Sequence, residues 1–128
     1  MEHEIQQQII EFEKQRNLLM SLGQQKQQMQ VAISTSNKAL EELDKSKENS
    51  VYVAIGNILI QKDKKEVQKE LKDQKETAEL RLKTVEKQEE NTLETLNTLK
   101  AKLEAAAEKA QSNAMGGEKT SIASSKKQ

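Results

Sequence analysis

Apolar residues recur along residues 1–48 in alternating steps of three and four. One heptad position holds Ile5, Phe12, Leu19, Lys26, Ile33 and Leu40, and the other holds Gln8, Gln15, Leu22, Met29, Ser36 and Leu43. A heptad sustained over such a length predicts a coiled-coil helix rather than the helix of a globular core. We refer to these two positions as the seam of the helix.

A second heptad follows Asp63. Asp63 and Glu66 resemble a capping box, with Asp63 as the N-cap, and therefore predict a helix over residues 64–111. Its seam positions are Leu71, Ala78, Val85, Thr92, Leu99 and Ala106, alternating with Lys75, Leu82, Glu89, Leu96, Leu103 and Ala110.

Between the helices, residues 51–61 have the pattern of a β-hairpin. Two β-branched runs flank Gly56 and Asn57, a pair that suits the positive φ angles of a two-residue turn. This turn predicts that Ile55 faces Ile58. One face then holds Val51, Val53, Ile55, Ile58 and Ile60, and the other holds Tyr52, Ala54, Leu59 and Gln61.

A lone two-stranded hairpin is marginal in water, and its edges invite further strands. It could be a buried strand pair in an α+β core, but the chain lacks the other elements of such a core. We therefore interpret the hairpin as a device that pairs with hairpins of other chains.

Two helices of similar length joined by a compact insert predict an antiparallel coiled coil. The favoured register places Leu40 opposite Leu71 and Ile5 opposite Ala106. It closes the helix pair around Ser46 and Lys65. A slip of one heptad stays open at this point.

The fold class is therefore mostly α, with one hairpin at the turn of a long antiparallel two-helix coiled coil. We expect a single domain over residues 1–111, with helices at 1–48 and 64–111 and the hairpin at 51–61. From Ser112 the residues are mostly small and polar. Too few apolar side chains remain to offset the entropy of ordering them, so residues 112–128 are predicted to be a disordered tail.

Composition narrows the function. The 21 basic residues balance the 21 acidic ones, and cysteine and proline are absent. The charge balance gives no preference for nucleic acid or for a membrane surface. No membrane span or signal-peptide pattern is seen, and we expect a soluble, cytoplasmic protein.

We find no catalytic, metal-binding or cofactor-binding motif, and we expect no enzyme. His3 is the single histidine and lies near the start of the first helix. The acidic pieces at 41–44 and 89–90 are explained by solvated helix faces, because no second ligand cluster accompanies them. The basic pieces at 62–65 and 126–127 are short and lack interleaved aromatic residues, as nucleic-acid binding would require.

The end of the coiled coil far from the hairpin carries more apolar residues than a seam needs. In the favoured register these residues, which we call the tip residues, lie near a run of alanines at 105–107. They are Ile5, Ile9, Ile10, Phe12, Leu96, Leu99 and Leu103. Thin alanine layers bury little apolar area, so this end should open most easily. Ordinary seam packing is the alternative for each residue, and partner binding is our interpretation of the group.

Several segments resemble the β-type subunit of prefoldin, in its archaeal form, over about residues 4–110. These segments are 56–60 (GNILI), 80–90 (LRLKTVEKQEE), Glu41-Glu42-Leu43 and the Gln-rich first helix. The single hairpin agrees with the β type, because α-type subunits carry two.

The resemblance implies a chaperone hexamer of two α and four β subunits. Its hairpins would form an intermolecular β-barrel, and the coiled-coil tips would hold non-native clients and pass them to a group II chaperonin without ATP. The residues assigned to assembly are Val51, Val53, Ile55, Gly56, Asn57, Ile58, Leu59 and Ile60, and the tip residues are assigned to client binding. The alternative function is a structural coiled-coil adaptor or tether for specific folded partners.

Overall fold

A computed structural model describes the backbone of residues 2–117 and the side chains of residues 2–112. The chain forms α1 (Glu2–Lys45), β1 (Ser50–Ile55), β2 (Ile58–Asp63) and α2 (Lys64–Gly117). Two long helices joined by one hairpin confirm the predicted fold class.

The C-terminal ends of both helices differ from the predicted ones. α1 stops at Lys45 rather than residue 48, because the Ser46 Oγ accepts a hydrogen bond from the Glu48 backbone N–H at 3.2 Å and turns the chain. α2 continues to Gly117, so residues 112–117 of the predicted tail are helical. Alanine-rich sequence before this point favours helix strongly. The remainder of the predicted tail, 118–128, lies outside the described residues.

The described chain divides into two compact units. The hairpin unit contains residues 21–89, and the terminal unit contains residues 2–20 together with 90–117. Each unit includes part of α1 and part of α2.

The predicted seam accounts for most of the burial in both units. Its positions from Ile5 to Leu43 in α1 and from Leu71 to Ala106 in α2 are all buried or half-buried. The most buried of them are Leu22, Ser36, Val85, Thr92, Leu96 and Leu99. Ala110, the last predicted seam position, is exposed, so the seam ends one step earlier than predicted.

A cross-helix hydrogen bond fixes the register of the hairpin unit. The Gln68 Nε2 donates to Asp44 Oδ1 at 3.0 Å. The predicted register places Asp44 opposite Val67, the neighbour of Gln68. A slip of one heptad would place Asp44 opposite Ile60 or Gln74 instead. The register is therefore confirmed, and the slipped alternative is excluded for this unit.

Hydrogen bonds also connect the two helix ends below the hairpin. α2 begins directly after Asp63, the predicted N-cap. The Lys64 backbone N–H donates to the Asn49 carbonyl at 2.8 Å, and its Nζ donates to the Ser46 carbonyl at 2.8 Å. The helix pair thus closes at Ser46 and Lys64, one residue from the predicted Lys65.

The hairpin has the predicted register, with Ile55 paired to Ile58 and Val53 to Ile60. Gly56 has a φ of 61°, as expected, whereas Asn57 has no positive φ. A positive φ at the first central residue alone is the geometry of a type II′ turn, which brings Gly to that position. Only one of the two turn residues therefore needs left-handed backbone.

Candidate interaction surfaces

The hairpin presents apolar side chains on both faces. On the face predicted for assembly, Ile58 is 64% exposed and Ile55 53%, while Val51 and Val53 are half-buried. On the other face Tyr52 is 68% exposed. The predicted assembly residues Gly56, Asn57, Leu59 and Ile60 are exposed as well.

The exposure of side chains on the first face decreases from the turn towards the base of the hairpin, where α2 begins. Lys62 is on the same face as Val51, and its Nζ lies 3.5 Å from Glu70 Oε2 in α2. Val67, in the first turn of α2 before Glu70, is buried. The start of α2 therefore holds the base of the hairpin, and the apolar side chains nearest the turn have no cover within the described chain.

Within the described residues the sheet consists of β1 and β2, so each strand has one edge that pairs with no further strand of this part of the chain. Unpaired backbone N–H and C=O groups at such an edge accept a further strand. Free edges and bare apolar faces together make the hairpin a surface for other strands.

The tip residues all lie in the terminal unit, but their exposure differs. Ile10 is 66% exposed and Ile9 45%, so both are accessible in the folded chain. Leu96 and Leu99 are buried at 7% and 9%, within the seam. Ile5, Phe12 and Leu103 are half-buried. Ile9 and Ile10 are therefore the two members of the predicted set that the folded chain leaves exposed.

Two grooves in the terminal unit are lined by residues of both helices, with tip residues among them. The first, of about 580 Å³, is lined by Glu4, Gln7, Gln8, Ile10, Glu11 and Leu99. The second, of about 460 Å³, has a more apolar lining. It is formed by Glu2, Glu4, Ile5, Gln8, Lys102, Ala105, Ala106, Lys109 and Ala110.

Sequence reasoning missed the charged lining of the second groove. The tip residues were predicted from an excess of apolar residues, and Glu2, Glu4, Lys102 and Lys109 are not part of that excess. The signal available in the sequence was the spacing of Lys102 and Lys109, which is one heptad and therefore places both on one face of α2.

We looked for metal-binding clusters among residues 2–112. In this part of the chain no three His, Asp or Glu side chains lie together in a way that could hold a metal ion. Neither helix of the described residues carries a stretch that is apolar and long enough to cross a membrane.

The family model described as "Prefoldin subunit" matches residues 6–110, which include both helices and the hairpin. The chain belongs to the prefoldin subunit family. It is similar to the prefoldin subunit beta of Archaeoglobus fulgidus, with 35% identity over 102 residues covering 79% of this chain and 88% of that protein. It is also similar to the subunit beta of Thermococcus onnurineus, with 35% identity over 104 residues covering 80% and 90%.

A solved structure supports the same type. The crystal structure of the prefoldin beta subunit from Thermococcus strain KS-1 superposes with a TM-score of 0.70 at 31% identity, covering 80% of this chain and 91% of that one. The predicted resemblance to the β type is thereby confirmed. Prefoldin subunits are chaperone components, so this chain is a chaperone-type subunit.

Proposed function

We propose that this chain is a subunit of an ATP-independent holdase that binds unfolded proteins and delivers them to a group II chaperonin. The observation that carries the proposal is the exposure of Ile9 and Ile10, the second of which lines a groove, in a chain of the prefoldin family. A protein that holds many unrelated chains needs accessible apolar groups rather than one shaped pocket. A net charge of zero adds no preference for acidic or basic clients.

The hairpin is the assembly element in this proposal. Ile55, Ile58 and Ile60 would enter an intermolecular β-barrel with the hairpins of other subunits. The assembly would be a cytoplasmic hexamer of two α-type and four β-type chains. Burial of this face would remove the exposed apolar area from water at about 25 cal/mol per Å². The uncovered face and the free strand edges support this arrangement.

The proposal can be tested in two steps. First, the mass of this chain is measured by light scattering, alone and mixed with an α-type prefoldin subunit. The mixture should form a hexamer. The hexamer should then suppress aggregation of a chemically denatured test protein without nucleotide. Addition of a group II chaperonin should transfer that protein from the hexamer to the chaperonin.

A truncated chain identifies the region that holds the client. Removal of residues 1–12 and 100–128 should abolish protection while the hexamer survives, because the hairpin unit is intact. A dedicated tether for folded partners would show no protection even before truncation, which would overturn the proposal. Full protection by the truncated hexamer would move client binding towards the hairpin.

A further inference from the structure

The groove of about 460 Å³ in the terminal unit has a mainly apolar lining, with glutamates on α1 and lysines on α2, which we call its acidic and basic rims. Its apolar lining is formed by Ile5 and Ala106, the residues of one predicted seam layer, together with Ala105 and Ala110. Every charged residue that α1 contributes is a glutamate, and every charged residue that α2 contributes is a lysine. Such a groove can discriminate between partners by their charge pattern as well as by their apolar surface.

These rim charges are available to a partner. Glu2, Glu4, Lys102 and Lys109 are all exposed. In the described part of the chain the ion pairs are formed elsewhere, between Lys26 and Glu89, Lys45 and Glu42, and Lys62 and Glu70. The glutamates and lysines that line the groove therefore form no ion pairs with one another.

The spacing of the basic rim fits a helix. Lys102 and Lys109 are separated by one heptad, which is about 10 Å along a helix at 1.5 Å per residue. An amphipathic partner helix repeats its apolar and flanking residues with the same period. The alanines at 105 and 106 are small, so the backbone of such a helix can approach closely. An extended strand rises about 3.3 Å per residue and would not match the period.

We propose that this groove binds a helical segment of the client whose apolar stripe has basic residues on one flank and acidic residues on the other. The basic flank faces Glu4, and the acidic flank faces Lys102 and Lys109. This inference rests on the proposed holdase function and specifies a class of client. The apolar stripe supplies affinity, and the opposed flanks supply selectivity.

The test uses three labelled peptides with the same apolar heptad and fluorescence anisotropy with the assembled full-length chain. One peptide has lysines on one flank and glutamates on the other, the second has lysines on both flanks, and the third has glutamates on both. The mixed-flank peptide should bind about tenfold more tightly than either of the others, and this advantage should fall in high salt. Equal affinity for all three would overturn the inference.

Charge reversal of one rim provides the decisive variant. Lys102→Glu with Lys109→Glu makes both rims acidic, so preference should move to the peptide with lysines on both flanks. The control is Lys87→Glu with Lys100→Glu, which changes the charge equally at exposed positions outside the groove. The control should keep the preference for the mixed-flank peptide. A control that shifts as the rim variant does would show a general charge effect and overturn the proposal.

Two further comparisons test the groove and the helix. Ala105→Trp should fill the groove and weaken the mixed-flank peptide by at least about tenfold, a loss typical of a blocked anchor site. Ala107→Trp, also exposed but outside the lining, should bind normally. A mixed-flank peptide with a central proline cannot form the helix and should bind weakly. Undiminished binding of this peptide, or of the first peptide to Ala105→Trp, would overturn the inference.

The aggregation assay separates the two proposals. If the wild-type assembly protects denatured proteins but does not discriminate among the peptides, the holdase function stands and the groove assignment fails. If it protects no client at all, the proposed function fails first.

Discussion

Gly56 and Gly23 differ in backbone conformation, so replacement by alanine should have opposite effects on stability. Gly56 has a φ of 61°, and a Cβ placed there would meet nothing within 4 Å. Gly56→Ala should therefore lower the stability of the hairpin by about 1–2 kcal/mol through backbone strain alone. The measurable result is weaker assembly, seen as a lower mass at equal concentration in light scattering. Asn57→Ala, at a position without positive φ, should assemble normally.

Gly23 lies inside α1 with ordinary helical backbone. A Cβ added there would lie 3.8 Å from Glu89 Oε2, which is an ordinary van der Waals contact. Gly23→Ala should consequently stabilise the chain by about 0.5–1 kcal/mol, since alanine loses less entropy in a helix. A higher urea midpoint would confirm this expectation. An unchanged or lower midpoint would show that the helix needs glycine at this position.

An ion pair occupies the seam where leucines would be expected. The Lys26 Nζ lies 3.1 Å from Glu89 Oε1, with the side chains 35% and 20% exposed. Glu89→Ala leaves Lys26 half-buried without its partner and should cost about 1 kcal/mol. Lys26→Leu with Glu89→Leu should equal or exceed the wild type in urea denaturation, because an apolar layer replaces the desolvated pair. A double variant weaker than Glu89→Ala would contradict this account.

At the scale of the element, packing of the seam sustains the helices. Leu96 is 7% exposed and Leu93, on the same helix, is 50% exposed. Leu96→Ala should lower the free energy of unfolding by about 2–3 kcal/mol, because it removes buried methyl groups and leaves a cavity. Leu93→Ala should change it by less than about 0.5 kcal/mol. Thermal unfolding followed by circular dichroism at 222 nm would measure both. Equal losses would show that the terminal unit does not pack as described.

The heptads and the hairpin were predictable because both depend on short periods. Each seam position from Ile5 to Leu43 was buried or half-buried as its spacing required. The end of α1 was not predictable to the residue, because a local hydrogen bond between Ser46 and Glu48 decides it. The turn type also escaped prediction, since a Gly-Asn pair fits both primed turns. Periodicity thus determines which face is buried, while single hydrogen bonds determine where an element stops.

For the whole molecule, the hairpin should determine assembly without governing helicity. Ile58 is 64% exposed and would be buried by other subunits. Ile58→Asp would place an unpaired charge in an apolar layer and should abolish the hexamer, with most helical signal retained. Light scattering and circular dichroism on the same sample would show both effects. Gln61→Asp, on the opposite face, serves as the matched control. An unchanged hexamer for Ile58→Asp would refute the barrel assignment for this face.

The candidate client surface was less predictable than the fold. The sequence indicated a region of both helices as the candidate, but it could not show that Leu96 and Leu99 are buried and that Ile9 and Ile10 are exposed. Exposure depends on the rotation of each helix about its axis, and extra apolar residues beside a seam do not fix that rotation. The charged rims of the groove could not be predicted without knowing how the two helices lie side by side, because each helix contributes one rim.

The antiparallel pairing has a consequence for biosynthesis. Ile5 shares a groove with Ala106, so Ile5 meets a partner that is translated 101 positions later. Asp44 and Gln68, beside the hairpin, are separated by 24 positions and can meet much sooner. Closing a short loop costs less entropy than closing a long one, so we expect the coiled coil to zip from the hairpin outwards. Ile5 and Phe12, near the start of α1, then wait longest for their partners in α2. On the ribosome, this subunit exposes for a time the same kind of apolar segment that we propose it protects in others.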